Sequence, residues 1–194
     1  MRGKRSAALL SLLVIVVGAC SGADGGADGE TNGEADPDTV SATAYVTGMC
    51  TAVAGWVQDI QALNEGLAAE LDPTSLESLK SGMVGFLDDV IASTESVIGE
   101  VEAVGIPDVD NGEATAERIL TALRDSQDVF ERARDRVAGL ATDDPTAFTE
   151  ALQTLGTDLQ TSLSGIGSEL ETFAVPELDE ASEDVPECDA AALA

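Results

Sequence analysis

The sequence predicts an all-α protein: an up-down four-helix bundle with a disulfide-tethered C-terminal tail, preceded by a signal peptide and a disordered acidic linker. Three observations support this prediction. Apolar residues recur at alternating steps of three and four over four segments of roughly 30 residues each. Asp-Pro pairs separate the first segment from the second and the third from the fourth, as expected of helix boundaries. Two cysteines, Cys50 and Cys188, stand in the first segment and near the C-terminus.

The N-terminus has the features of a secretory signal peptide. Three basic residues precede an apolar run of about 11 residues, which is shorter than the roughly 20 that a membrane-spanning helix needs. The run ends at Val17-Gly18-Ala19-Cys20, which resembles the lipobox of bacterial lipoproteins. In that family the cysteine thiol receives a diacylglycerol and the chain is cut just before it. The alternative is an ordinary signal peptide with an incidental cysteine.

The resemblance implies that residues 1–19 are a lipoprotein signal peptide and that Cys20 carries the lipid. Two acyl chains suffice for stable anchoring, so the mature protein would lie on the extracytoplasmic face of the cell membrane. Residues 20–38 alternate glycines with acids and show no hydrophobic periodicity. Such a segment cannot bury enough apolar area to offset its ordering entropy, which predicts a disordered linker. Residues 39–194 form the predicted bundle domain with its tail.

The chain is strongly acidic, with 9 basic and 37 acidic residues. Three of the basic residues lie in the signal peptide, so the mature protein has 6 basic against 37 acidic residues and a formal net charge of −31. This charge would repel nucleic acids and anionic lipid surfaces. The abundance of Ala, Gly, Val, Thr, Asp and Glu, with one lysine beyond the signal peptide, is typical of GC-rich genomes such as those of actinobacteria. Salt adaptation is a second source of such acidity.

The first two helical segments form a predicted hairpin. The first segment ends at Asp72-Pro73, and the second begins at Thr74, which forms a capping-box-like pair with Glu77. Gly105 ends the second segment. The apolar seams of these two helices are Val46, Met49, Val53, Trp56, Ile60, Leu63 and Leu67, then Leu76, Leu79, Met83, Phe86, Val90, Val97, Val101 and Val104.

The last two segments form a second predicted hairpin. The third segment follows Asp110 and Asn111, and the fourth has Asp144 as its N-cap with Pro145 at the first helical position. The seams are Ile119, Leu123, Phe130, Ala133, Val137 and Leu140, then Phe148, Leu152, Leu155, Leu159, Leu163, Ile166, Leu170 and Phe173.

Residues 105–113 connect the two hairpins. Their pattern Asp108-x-Asp110-x-Gly112 resembles the start of a calcium-binding loop. An EF-hand would need its glycine one place later and a glutamate at the twelfth position, where Ile119 stands. We therefore expect a turn whose acids cap the third helix.

With Cys20 used by lipid, Cys50 and Cys188 remain as an even pair in an oxidising compartment, which predicts a disulfide bond. The tail from residue 175 would return along the bundle for about 14 residues and deliver Cys188 to Cys50. In the chain-entropy model, closing so long a loop contributes at most about 5 kcal/mol. The alternative, a redox-active or metal-binding thiol pair, lacks a CxxC spacing and any histidine.

A wider resemblance covers the whole chain. The lipobox, the acidic linker, Met49-Cys50 followed by Trp56 and Leu63-Asn64, the Asp-Pro turns and the ending Val185-Pro186-Glu187-Cys188 are similar to small helical lipoproteins of actinobacteria. These motifs are structural, and the resemblance implies a fold and a location but no molecular activity.

The sequence contains no recognisable catalytic motif. Because it has no histidine, Ser-His-Asp triads, Cys-His pairs and the Glu-x-x-His motif of di-iron bundles are excluded. Paired acids such as Asp88-Asp89 and Asp143-Asp144 fall at predicted surfaces or caps. We therefore expect no enzymatic activity, no cofactor and no metal site.

Basic residues concentrate in the third helix, which holds five of the six in the mature chain. They are Arg118, Arg124, Arg132, Arg134 and Arg136. One hypothesis makes them a docking face for an anionic partner. The other, which the interspersed acids favour, makes them a solvated face that pairs with neighbouring acidic helices.

These features predict a non-enzymatic, membrane-anchored binding or interaction module of the cell envelope. Its partner would be an envelope protein or a wall component, and nucleic acid is excluded by charge. The alternative function is a carrier that holds a small apolar ligand or lipid within the bundle, since the core is aliphatic and only 3% of the residues are aromatic.

Overall fold

A computed structural model describes residues 39–70, 74–171 and 175–188 of the 194-residue chain. The predicted signal peptide, Cys20, the acidic linker, the Asp72-Pro73 end of the first helix, Phe173 and residues 189–194 lie outside these residues. The described chain is mostly helical, which confirms the predicted class. In chain order the elements are β1 (Thr39–Val40), α1 (Ala42–Glu70), α2 (Leu76–Val104), β2 (Ile106–Pro107), α3 (Gly112–Ala138), α4 (Pro145–Glu171) and α5 (Pro176–Glu183).

Serine hydroxyls cap the first two long helices. The Oγ of Ser41 accepts a hydrogen bond from the backbone N–H of Ala44 at 3.3 Å. The Oγ of Ser75 accepts one from the N–H of Ser78 at 3.2 Å, and Ser75 has the extended backbone of an N-cap. The predicted cap of α2 at Thr74 is therefore one residue early. Serine at position 75 is the residue whose side chain reaches the unpaired N–H groups of the first turn.

The predicted end of α2 and start of α4 are confirmed. The helix α2 ends at Gly105, whose φ of 95° would strain any residue with a side chain. The helix α4 begins at Pro145, which needs no helical hydrogen-bond partner at this position. The Oδ1 atom of Asp144 accepts from the N–H groups of Thr146 and Ala147 at 2.9 and 3.1 Å.

The connection between α2 and α3 differs from the predicted acid-capped turn. The residue before α3 is Asn111, which has a left-handed backbone (φ 59°) and makes no side-chain capping bond. Ile106–Pro107 instead pairs in parallel with Thr39–Val40, and the N–H of Asp108 donates to the carbonyl of Val40 at 2.7 Å. The N–H group of Gly112, at the start of α3, instead donates to the carbonyl of Val109 at 3.0 Å. The parallel backbone pairing joins the start of the domain to this connection.

The helices α1 and α2 pack closely and run antiparallel. Gly48 lies against Val104, where a Cβ atom on the glycine would come within 2.8 Å of a valine methyl. Two turns further along α1, the Nε1–H group of Trp56 donates to Oγ1 of Thr94 at 3.2 Å. Thr94 is fully buried and its hydroxyl donates to the carbonyl of Val90, so this polar pair inside the core is satisfied.

The helix α2 also packs against α3, α4 packs against α3, and α5 packs against α1. One core cluster includes residues of all four long helices: Ile60, Leu87, Val90, Phe130, Ala133, Val137 and Leu155. Burying each large aliphatic side chain contributes about 1.5–3 kcal/mol. The only lysine beyond the signal peptide, Lys80, donates from Nζ to the carbonyl of Leu140 just after α3 at 2.9 Å.

The tail returns to α1 as predicted, and the disulfide between Cys50 and Cys188 is confirmed, with a Cα–Cα distance of 4.9 Å. Within the tail, α5 is a helix that was not among the four predicted. Its local signal is Pro176 at the first helical position, followed by Glu177 and Asp179 in the first turn. Eight residues are too few for an apolar seam to reveal the helix.

Two glycines offer a matched test of this fold. A Cβ on Gly112 would collide with the backbone carbonyl oxygen of Pro107, whereas nothing lies within 4 Å of the same position on Gly99. We expect Gly112→Ala to lower the free energy of unfolding by about 1–3 kcal/mol through displacement of the α2–α3 connection. Gly99→Ala should raise it by up to about 1 kcal/mol, because alanine favours a helix interior. Urea unfolding followed by circular dichroism measures both, and equal effects would contradict the packing at Gly112.

Candidate functional site

The arginines of α3 are spread over its surface rather than gathered at one point. Arg118, Arg124, Arg132 and Arg136 are exposed, and Arg134 is half-buried. The buried face of the same helix is apolar and includes Val129, Phe130, Ala133 and Val137.

Three of the arginines form ion pairs with acids of their own and the neighbouring helices. The pairs are Arg124 with Glu102 (2.6 Å) and Glu117 (3.4 Å), Arg134 with Asp88 (3.2 Å) and Asp135 (2.9 Å), and Arg136 with Asp158 (2.6 Å). The Nε atom of Arg134 is close to Asp135 but lacks a hydrogen-bond partner, so that contact is electrostatic only. Side chains this exposed contribute about 0–1 kcal/mol per pair.

The ion pairs point to different sides of α3. Arg124 and Arg134 reach acids of α2, while Arg136 reaches an acid of α4. Two of these pairs also show that α2 and α3 are antiparallel. Glu102, near the end of α2, pairs with Arg124 in the first half of α3, whereas Asp88, earlier in α2, pairs with Arg134 near the end of α3. This pairing supports the hypothesis of a solvated face that neutralises adjacent acidic helices. The docking-face hypothesis stays a prediction. Among the described residues, Arg132 makes no ion pair.

Replacing Arg132, Arg134 and Arg136 by Gln separates the two hypotheses. If these residues dock an anionic partner, capture of that partner from solubilised native envelope should be lost, as identified by mass spectrometry. The melting temperature should fall by only a few degrees at most, since the ion pairs are exposed. The triple Lys variant keeps the charge and is the control. Equal capture by all three proteins would rule out the docking face.

An apolar cluster lies around the disulfide, where α5 covers α1. Tyr45 and Val46 are 0% and 2% exposed, and they pack with Cys50 and with Val175, Leu178 and Val185 of the tail. Ala116 brings α3 into the same cluster. Four acids of α5 are exposed to solvent: Glu177, Asp179, Glu180 and Glu183.

The hydroxyl of Tyr45 is buried in this cluster and has no hydrogen-bond partner among the described residues. An unpaired buried hydroxyl costs about 1–3 kcal/mol. Burial also raises the pKa of Tyr45 above its ordinary value of 10.0, because the apolar surroundings disfavour the tyrosinate. Nothing in the apolar periodicity predicts this residue, which lies one position before the first seam residue.

Tyr45→Phe should stabilise the protein by about 1 kcal/mol at neutral pH, because it removes the unpaired hydroxyl. The wild type should also lose stability above pH 10. Because the pKa of Tyr45 is higher in the folded chain, the unfolded chain releases the phenol proton at a lower pH than the folded chain does. The contribution of Tyr45 to stability is therefore complete below its unfolded-state pKa and is lost as the pH rises through its folded-state pKa. Denaturant unfolding across this pH range measures the difference. Parallel alkaline loss in both proteins would show that Tyr45 is not the cause.

An open cleft of about 980 Å³ lies where α2, β1 and α3 meet. Its floor includes Val104, Ile106 and Leu120, and its rim carries Glu102 and Glu117, both paired with Arg124. Among residues 39–70, 74–171 and 175–188, no group of three or more metal-ligating side chains is arranged to hold an ion. The described helices include none that is long and apolar enough to cross a membrane.

Comparison with protein-family models, curated proteins and solved structures finds no match for this chain.

Proposed function

We propose that this protein is a non-enzymatic binding module of the cell envelope, anchored to the extracytoplasmic face of the cell membrane by a diacylglycerol on Cys20. In this proposal residues 1–19 are removed, residues 20–38 are the tether, and the four long helices form an up-down bundle related to small lipoproteins of actinobacteria. An envelope protein or a wall component is the partner.

The observation that carries the proposal is the disulfide between Cys50 and Cys188. Disulfides persist in oxidising compartments and are rare in the cytosol, so the bond supports export. It also uses two of the three cysteines, which leaves Cys20 in the lipobox as the remaining thiol. Export and a free lipobox cysteine are the two requirements of lipid anchoring.

The position of the first described residues fits a tethered domain. β1 begins at Thr39 and pairs with β2, so the chain that arrives from the linker is held at the α2–α3 connection. A net charge of −31 after removal of the signal peptide would keep the domain away from anionic headgroups. Its helical surfaces would then be available to partners in the envelope.

Cys20→Ser tests the anchor. The variant should stay uncut by the lipoprotein-specific peptidase and carry no diacylglycerol, because the thiol that receives the lipid is missing. Detergent-phase partitioning and intact mass of protein from the native host measure both effects, with Cys188→Ser as the control that should remain lipidated. A Cys20→Ser protein with the mature mass and membrane partitioning of the wild type would refute the anchor.

A carrier function is the second candidate, and the surface of α4 favours it. Leu159, Leu163 and Ile166 are only half-buried, although they continue the apolar seam that buries Phe148 and Leu155. Among the described helices, α4 packs extensively against α3 but not against α1. Leu159 and Leu163 pack against the core with part of their surface, and the exposed parts of these aliphatic side chains offer a surface to an acyl chain.

Native mass spectrometry of protein purified from its host distinguishes the carrier from the binding module. A carrier should retain a lipid that is additional to the covalent anchor, at one per chain, and Leu163→Asp should release it by placing a charge in the aliphatic surface. The exposed Ser164→Asp is the matched control. A mass that corresponds to the anchored chain alone would count against the carrier.

A further inference from the structure

The cleft where α2, β1 and α3 meet has the size of a small-molecule site. Its volume of about 980 Å³ lies at the upper end of the roughly 300–1,000 Å³ that ligand pockets occupy. The floor is aliphatic and includes Val40, Val104, Ile106 and Leu120, all of which are only half-buried. These side chains keep apolar surface in contact with water, so a ligand that covers this surface gains affinity for each methylene that it places there.

Three glutamates also line the cleft, one from α2 and two from α3. They are Glu102, Glu113 and Glu117, and all three are exposed. Glu113, Glu117 and Leu120 follow one another at steps of four and three, so they share one face of α3. The cleft therefore combines an apolar floor with carboxylates that two helices supply.

The carboxylates of the cleft outnumber the positive charges that pair with them. Arg124 lies 2.6 Å from Glu102 and 3.4 Å from Glu117, whereas Glu113 makes no ion pair within the described part of the chain. Arg118 does not line the cleft, and the ion pairs of Glu102 and Glu117 are made with Arg124. Three carboxylates and one guanidinium leave the cleft a formal charge of −2.

The excess negative charge is concentrated at Glu113 and Glu117. Like charges four residues apart on a helix repel each other, and a positive group between these two carboxylates would remove that repulsion. The chain as a whole, with 37 acidic and 9 basic residues, would attract such a group from a distance. A metal ion does not fit this demand, because the described ranges contain no group of three or more side chains arranged to hold one. An organic cation needs no ordered shell of ligands.

We propose that this cleft binds a small organic cation with an aliphatic chain. The ammonium group lies at Glu113 and Glu117, and the chain lies on Val104, Ile106 and Leu120. This site goes beyond the proposed function, because it requires neither the membrane anchor nor an envelope protein. Charge excludes anions from the cleft, and the apolar floor favours long cations over short ones.

Ligand titration of the full oxidised chain, followed by the chemical shifts of its backbone amides, tests the site. The probe is hexylammonium, and its controls are hexanol and hexanoate, which lack the positive charge, and methylammonium, which lacks the chain. We expect hexylammonium to bind about fivefold or more tightly than each control and to shift the amides of Val104, Ile106 and Leu120. Over butyl-, pentyl- and hexylammonium, each added methylene should tighten binding by up to about fourfold.

A pair of charge variants tests the role of the acids. Glu113→Gln/Glu117→Gln should weaken hexylammonium binding about fivefold or more and leave hexanol binding unchanged. The matched control is Asp125→Asn/Asp128→Asn, which removes two exposed acids of the same helix that do not line the cleft. Both variants lower the net negative charge equally. Both should keep the helical circular dichroism of the wild type, since all four side chains are exposed.

Three results would overturn the site. The first is the absence of saturable hexylammonium binding, and the second is equal binding of hexylammonium and hexanol. The third is equal weakening by the two charge variants, which would show attraction to the anionic domain as a whole. None of these results bears on the anchor at Cys20 or on the aliphatic surface of α4, because neither shares a residue with the cleft.

Discussion

Burial of the apolar face of α2 between α1 and α3 is the interaction on which the rest of the structure depends. Leu87, Val90, Val97 and Val101 are all at most 4% exposed, and they contact both neighbouring helices through the core clusters. With few aromatic side chains in the chain, this aliphatic contact supplies most of the favourable burial. A polar contact within it, from Trp56 to Thr94, is fully paired and therefore helps to fix the register of α1 on α2 at little cost.

The periphery is organised by weaker or covalent interactions around that centre. The exposed ion pairs of α3 each contribute little, and together they place the few positive charges among the acids of α2, α3 and α4. The tail instead depends on a disulfide and three buried apolar residues. The centre of the described structure is therefore held by packing, and its edge is held by a covalent bond.

The hydroxyl of Tyr45 is buried and has no hydrogen-bond partner among the described residues. A phenylalanine at the same position would fill similar space without burying an unpaired polar group. The cleft between α2, β1 and α3 shares Val104 and Ala116 with the apolar cluster around the disulfide, so the cleft and this cluster meet at one end of the protein.

The sequence by itself determined the helical class, the presence of four long helices, the Asp144-Pro145 start of α4, the Gly105 end of α2 and the pairing of Cys50 with Cys188. These follow from local or counting rules: periodic apolar residues, residues with special backbone preferences, and the two cysteines that remain beyond Cys20. Only the tertiary structure decided the parallel pairing of β1 with β2, the helical form of α5, the partners of the arginines and the burial of Tyr45. Each of these depends on contacts between residues distant in the chain. A two-residue strand or an eight-residue helix is too short to leave a period, and the environment of a side chain is set by the elements packed around it.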